Sequence, residues 1–356
     1  MITIGADVHL KTSTMTVLDN DGTKIVRKKL DNNPEELLAF VRRFKEPKRF
    51  SMETCYNWPC MYELIKDEVD QFNLLHARKL KSIIESQSKC DGHDSDEIAY
   101  LTHIGHIPKA YMAPADTRQF RHLLRTRVGV SFQIASVKNR IHALINTNTF
   151  YGQRPRNFKN LFCKRGLVYL VSVPLPEQER TIITELLKEI RFLEQLRSRF
   201  DEHIENANFR SDDIGILETA PAMRGKILKY IIISEIDNIQ RFRNSDAIVA
   251  YAGLVPRERS SGDKIRKGRL RTDCNQFLKW AMIEAVIPAL RQDKELRRYY
   301  KEVKTRCNSS AARVATARKL LIAIYHMLKE QKPYHTREQK PRITHSCALP
   351  SSLIRG

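Results

Sequence analysis

The chain has 356 residues, of which 42% are hydrophobic and 29% charged, and its 62 Lys and Arg outnumber its 41 Asp and Glu for a formal charge of +21. That length suits two or three domains of roughly 100 to 150 residues each, and the charge calls for a polyanion as partner, either nucleic acid or an anionic membrane surface. No run approaches the roughly 18 apolar residues that span a bilayer, Met1 leads straight into a strand-like segment, and the seven cysteines form no CxxC pair; a soluble, cytoplasmic protein with reduced thiols is expected, not a disulfide framework or a zinc ribbon.

Three short β-rich runs open the chain, ITIGADVH, TSTMTVLDN and TKIVRKKL, with Asn20-Asp21-Gly22 as a turn between the second and third. They predict a three-stranded antiparallel meander. Asn33-Pro34 signals a helix start, with Leu37, Leu38 and Val41 on one face. A strand RFSMETC, a helix near residues 58 to 69 and a strand QFNLLHA follow. The predicted order is βββαβαβ.

Charge then becomes uneven. Residues 1 to 116 carry 16 basic and 18 acidic side chains, whereas residues 117 to 175 carry 11 basic and none acidic. A segment without acids cannot neutralise itself from within, so phosphate is its expected partner. Phe120, Leu124, Ile134, Val137, Ile141 and Leu144 recur at helical spacing, with Arg118, Arg121, Arg125, Lys138 and Arg140 among them. This predicts a long basic helix, open to a break near Gly129. Residues 153 to 176, rich in Pro, Asn and Lys, read as a linker. From 177 to 207, Ile183, Leu186, Ile190, Leu193, Arg197, Phe200 and Ile204 step by three and four, a heptad seam expected to form a coiled-coil hairpin or a dimer contact, or else to pack on its own domain. Residues 213 to 330 read as mainly helical around a loop, Pro256 to Arg271, and residues 241 to 330 hold 21 basic against 9 acidic side chains. The remainder, 331 to 356, has too little apolar content to fold.

Asp7 lies inside a β-rich run, where Asp is disfavoured and a buried carboxylate needs compensation. Glu53 ends the fourth predicted strand, which neighbours the first in a βββαβαβ sheet. Asp91 and Asp94, three apart, face one way on a helical turn; Asp96 does not share that face. Four convergent carboxylates repel one another unless a divalent cation neutralises them, and Mg2+ prefers oxygen ligands and bridges to phosphate. Taken singly, each acid has an ordinary reading as a cap, an ion-pair partner or a solvent-facing charge. A second constellation surrounds Ser260 and Ser261: the cations Arg257, Arg259, Lys264, Arg266, Lys267, Arg269 and Arg271. A serine hydroxyl becomes a nucleophile only when activated, and guanidinium groups stabilise the charge of a phosphoryl-transfer transition state. Such a loop also suits a simple grip on a nucleic-acid backbone.

The stretches GADVHLK, METCYNW, KCDGHDSDEIAYL, VKNRIHALI and YAGLVPRERSSGDKIRKGR, in this order, resemble the successive motifs of the DEDD transposases of insertion sequences, a family related to the Piv and MooV invertases. The resemblance covers about residues 1 to 325. It implies an α/β N-terminal ribonuclease-H-like (RuvC-like) domain over 1–150 with Asp7, Glu53, Asp91 and Asp94 as a Mg2+-binding tetrad, and a linker and coiled-coil insertion over 151–212. A mainly α C-terminal domain over 213–330 follows, with Ser261 as nucleophile, and then a basic tail. It also implies donor and target DNA, a bridge RNA and a homodimer or larger homo-oligomer as partners. Departures from the pattern are Cys55 and Cys90, the stretch Arg271-Thr272-Asp273-Cys274, and Thr219 to Gly225 in place of a Gly-rich hairpin. The alternatives are a RuvC-like nuclease or invertase without guide RNA, in which water attacks, and a non-catalytic RNA-binding protein.

Overall fold

The computed structural model describes residues 1–83, 91–147, 160–224, 227–261 and 264–335, with the side chains of 91–93, 257–261 and 264–269 outside the description. It divides into two compact units, Met1–Ala113 and Pro114–Gly356.

In the first unit, strands β1 (Ile2–Val8), β2 (Thr12–Leu18), β3 (Lys24–Asp31), β4 (Lys48–Glu53) and β5 (Gln71–Leu75) form one sheet in the order β3-β2-β1-β4-β5. β1 runs antiparallel to β2 and parallel to β4, and β4 is parallel to β5. The predicted meander and strand order are therefore realised. β1 is the central strand and is buried on both faces, at Ile2, Ile4 and Ala6 on one and at Thr3 and Gly5 on the other, as a nearly continuous apolar run requires. β3 is an edge, and its Lys24, Arg27, Lys28 and Lys29 make that edge a poor template for further strands. Helix α1 (Pro34–Arg42) starts where the side chain of Asn33 accepts from Glu35 N at 2.9 Å and Pro34 needs no donor partner; it buries Leu37, Phe40 and Val41. Helices α2 (Trp58–Ile65), α3 (Ala77–Ile83) and α4 (Asp91–His103) complete the unit.

α4 lies so close to β1 that a Cβ on Gly5 would stand 2.3 Å from Ala99 N and 2.6 Å from Ser95 O. Only glycine permits that approach. The side chains of α4 then lock onto β2: Ser95 Oγ and Thr16 Oγ1 are 3.0 Å apart, and Thr16 donates to Asp96 at 2.6 Å. Asp96 also pairs with Lys24 and, at 3.2 Å, with Arg27.

The second unit is helical. α5 (Ala115–Thr147) runs 33 residues without interruption. The break left open near Gly129 does not occur: the helix is continuous through this glycine, whose position is open to a side chain. Inside the predicted linker stands a helix, α6 (Lys164–Ser172), with Cys163 as N-cap and Leu170 buried; the Pro and Lys content concealed a short apolar stripe. α7 (Glu177–Asn206) packs against α5, with Ile183, Leu186, Ile190 and Leu193 meeting Val130, Ile134, Val137 and Ile141. The ion pairs Arg127–Asp201, Lys138–Glu194 and Arg140–Glu189 make the pair antiparallel. The heptad seam is thus covered by the same chain.

α8 (Ser211–Glu218), α9 (Leu228–Ile236), α10 (Ser245–Tyr251), α11 (Gln276–Gln292), α12 (Lys294–Arg306) and α13 (Ser309–Glu330) enclose the main core of this unit. Asn244, Asn275, Asp293 and Asn308 cap α10 to α13 with side-chain acceptors, each satisfying an orphan amide of the first turn. The predicted serine loop is instead a β-hairpin, β6 (Pro256–Ser261) and β7 (Lys264–Leu270). Its β-branched content is low, and cross-strand pairing between the two charged runs carries it. The start of the predicted unstructured tail is held to the helices: Tyr334 N donates to Thr219 Oγ1, and its hydroxyl donates to Asp293 Oδ2 at 2.6 Å; burial, with that hydrogen bond, raises the phenol above its ordinary range. Residues 336–356 lie outside the described residues.

Candidate active site

The parallel register Gly5↔Ser51 and Ala6↔Met52 carries forward to place Asp7 beside Glu53, at the C-terminal ends of adjacent strands. Both positions are partly buried. α4 begins at Asp91 and presents Asp94 one turn later; the side chain of Asp91 lies outside the description. Burial pushes the Glu53 carboxyl up, Lys81 pulls it down, and the negative charges of Asp7 and Asp94 push it further up, for a net rise. Three of the four sequence-identified acids therefore act on one another electrostatically. Among the described residues no three Asp, Glu, His or Cys form a closed ligand group.

The donor set nevertheless suits a hard divalent cation. It consists of carboxylate oxygens, which Mg2+ prefers, and a cation would relieve the cost that raises Glu53, namely burial of a carboxylate beside two others. Asp96 belongs elsewhere: burial raises its carboxyl, but hydrogen bonds from Lys24 and Thr16 and the charges of Lys24 and Arg27 outweigh this and hold it below the ordinary range. It fastens α4 to the sheet.

Two residues went unremarked in the sequence. His9 Nε2 is 3.1 Å from Asp7 Oδ2; its spacing of two along an extended chain was a readable sign that both share one side. Lys81 on α3 acts on Glu53 through space, and nothing in its local sequence marks it.

In the second unit the hairpin register sets Ser261 opposite Lys264, Ser260 opposite Ile265, Arg259 opposite Arg266 and Glu258 opposite Lys267. Arg257 and Arg269 lie on the same two strands. Arg271, just beyond, pairs with Asp273 at 2.7 Å, and that hydrogen bond raises its pKa. The helix cations have found hydrogen-bond partners far off in sequence, acids in three of the four cases. Arg121 Nε donates to Ser234 O at 2.6 Å, Arg125 makes two 2.9 Å bonds to Glu235, Lys138 reaches Glu194 at 3.3 Å and Arg140 reaches Glu189 at 2.9 Å. The acid-free composition of 117 to 175 thus does not by itself demand phosphate.

Two carboxylates at the ends of adjacent parallel strands, with a third acting on them from α4 and a helical unit rich in cations following, fit the class of enzymes that act on nucleic-acid phosphates. Residues 4–149 match a family model of DEDD transposases of the IS110 type, and residues 215–301 match the family described as transposase IS116/IS110/IS902. A protein of Pseudomonas aeruginosa described as a probable family 20 transposase is 20% identical over 288 residues, covering 81% of this chain and 84% of that protein. The chain belongs to the IS110-type DEDD transposases of insertion sequences. The family implies use of a divalent metal. No described helix is long and apolar enough to cross a membrane.

Proposed function

We propose that this transposase cuts and rejoins DNA through a serine nucleophile, with Asp7, Glu53, Asp91 and Asp94 as the acid tetrad and Ser261 as the attacking residue. The observation that carries the tetrad is the electrostatic convergence of Asp7 and Asp94 on Glu53 at adjacent parallel strand ends. The sheet order β3-β2-β1-β4-β5 supports a ribonuclease-H-like reading of the first unit. When bound, Mg2+ would neutralise the carboxylates and polarise the scissile phosphate. Asp7 and Glu53, fixed by the sheet, and Asp91 and Asp94, fixed by α4, would hold it.

The Ser261 hydroxyl attacks phosphorus and gives up its proton to solvent; a serine Oγ–P bond forms, the P–O bond to the departing deoxyribose breaks, and the leaving oxygen takes a proton from solvent, so that protons balance. The phosphoserine ester conserves the bond energy, so rejoining needs no nucleotide cofactor. Cations of β6 and β7, Arg257, Arg259, Lys264, Arg266, Lys267 and Arg269, would stabilise the transferring phosphoryl group and track the backbone. Arg121, Arg125, Lys138, Arg140 and Arg271, engaged within the chain, would serve phosphate only by exchanging their partners. A bridge RNA that pairs with donor and target DNA, and a homodimer or larger assembly, complete the proposal and rest on the family resemblance.

The test is trapping of a covalent protein–DNA adduct with Mg2+ present. It should form with the native chain, vanish in Ser261→Ala and vanish on chelation. An adduct that persists in Ser261→Ala, or strand cleavage that never passes through an adduct, sinks the serine reading and favours attack by water, the chemistry of a RuvC-like nuclease.

A further inference from the structure

The two roots of the β6–β7 hairpin are tied together at one partly buried point. Before the hairpin, α10 ends at Tyr251 and the chain turns through Gly253, whose φ is +65°. A Cβ on Gly253 would lie 2.3 Å from Cys274 Sγ, so the outgoing and returning segments touch with no room for a side chain. After the hairpin, Asn275 N donates to Tyr251 O at 2.8 Å. The Asn275 side chain caps α11 by accepting from Leu278 N, and its amide donates to Tyr251 Oη at 2.9 Å and to Glu235 Oε2 at 2.8 Å.

Glu235 is the fixed end of this tie. Its side chain is 2% exposed on α9 and receives both bonds of Arg125 from α5, while Arg125 lies 4.7 Å over the ring of Phe277. A buried carboxylate held by a bidentate guanidinium has little freedom. We propose that Glu235 is a positioning residue: through Asn275 and Tyr251 it fixes the direction in which the hairpin projects, and hence where Ser261 stands. The proposal rests on the serine reading above for its catalytic consequence.

Leverage makes the tie matter. Ser261 is five residues beyond Pro256, about 16 Å along an extended strand, so a tilt of about 5° at the root moves it by about 1.4 Å. A misplacement of about 1 Å can cost about 10²-fold in rate. Binding of DNA by many dispersed cations tolerates the same tilt.

The experiment uses full-length Glu235→Gln, which keeps the shape but loses the charge-assisted bonds, and Asn275→Ala, which cuts the tie while sparing the Arg125 pair. Two measurements are made on each folded variant: amide hydrogen exchange over residues 256–270, and the single-turnover rate of Ser261–DNA adduct formation alongside DNA affinity. The expected result is at least tenfold faster exchange in the hairpin, with α13 unchanged in both variants and α11 unchanged beyond its first turn, which loses its Asn275 cap in Asn275→Ala. The adduct rate should fall tenfold or more, DNA affinity should stay within about twofold, and the double variant should be no worse than the single ones. Unchanged hairpin exchange in both variants overturns the tie. Faster exchange with a native adduct rate overturns the positioning role, as does a rate loss matched by an equal loss of affinity. Faster hairpin exchange in both variants, with no adduct formed by the native chain, upholds the tie and defeats the serine reading instead.

Discussion

Asp94 and Asp96 stand two residues apart and meet opposite environments. Asp94 adds its charge to the group around Glu53, while Asp96 is held by Thr16, Lys24 and Arg27. Alanine at Asp7, Glu53, Asp91 or Asp94 should abolish strand exchange and leave thermal unfolding of the first unit within a few degrees, since each removes negative charge from a repulsive cluster and not a core contact. Full activity in any one variant would remove that residue from the tetrad. Asp96→Asn should do the reverse in kind: retain measurable chemistry but cost about 1 kcal/mol, the scale of partly exposed charged hydrogen bonds. Its folded pKa lies below the ordinary 3.8, so the stabilisation is present above that value and is lost as pH falls through the lower folded value. The stability gap between native and Asp96→Asn proteins should therefore be full at pH 6 and close under acid. A gap that persists in strong acid would assign the effect to packing.

At the scale of elements, the approach of α4 to β1 decides whether the acids meet at all. Gly5→Ala places a methyl against the backbone of Ala99 and Ser95, atoms that cannot swing aside. The helix must shift, at a cost of about 1 to 3 kcal/mol or more, and strand exchange should be lost even though every acid is intact. Native activity in a well-folded Gly5→Ala protein would show that the helix position is not critical. The cations divide by element as well. Arg140 on α5 pairs with Glu189, both half exposed, so Arg140→Gln should cost at most about 1 kcal/mol of stability and leave the salt dependence of DNA binding nearly unchanged. Neutralising Arg257, Arg259 or Arg266 on the hairpin should flatten that dependence by nearly one counterion each. Salt titrations that rank the two groups the other way would return phosphate binding to the long helix.

For the whole molecule, the acids and the serine belong to different units of one chain, and the proposed chemistry needs both. If the halves of one reaction can come from two chains, mixing an Asp7→Ala chain with a Ser261→Ala chain should restore part of the strand-exchange activity. Absence of rescue in demonstrated mixed oligomers would confine each reaction to the halves of a single chain. The α5–α7 seam, filled within the chain, is not itself available for that association while the pair stays closed.

Alternating and helical apolar periods determined the βββαβαβ order, α5 and α7, because such periods report directly on which side of an element is buried. The proposed tetrad drew notice for a related reason: Asp inside the β-run of β1 and Asp-rich residues at the start of α4 depart from local preference, and such departures are where functional sites are sought. Composition could not reveal where opposite charges would meet. Arg125 and Glu235 are 110 positions apart, and only folding places them together, so an acid-free segment read as a demand for phosphate acquired its counterions from α7 and α9. The hairpin around Ser261 was hidden for a related reason: its strands are polar and charged, with little propensity of their own, and its two roots meet at Tyr251, Gly253, Cys274 and Asn275, contacts that exist only in the folded chain.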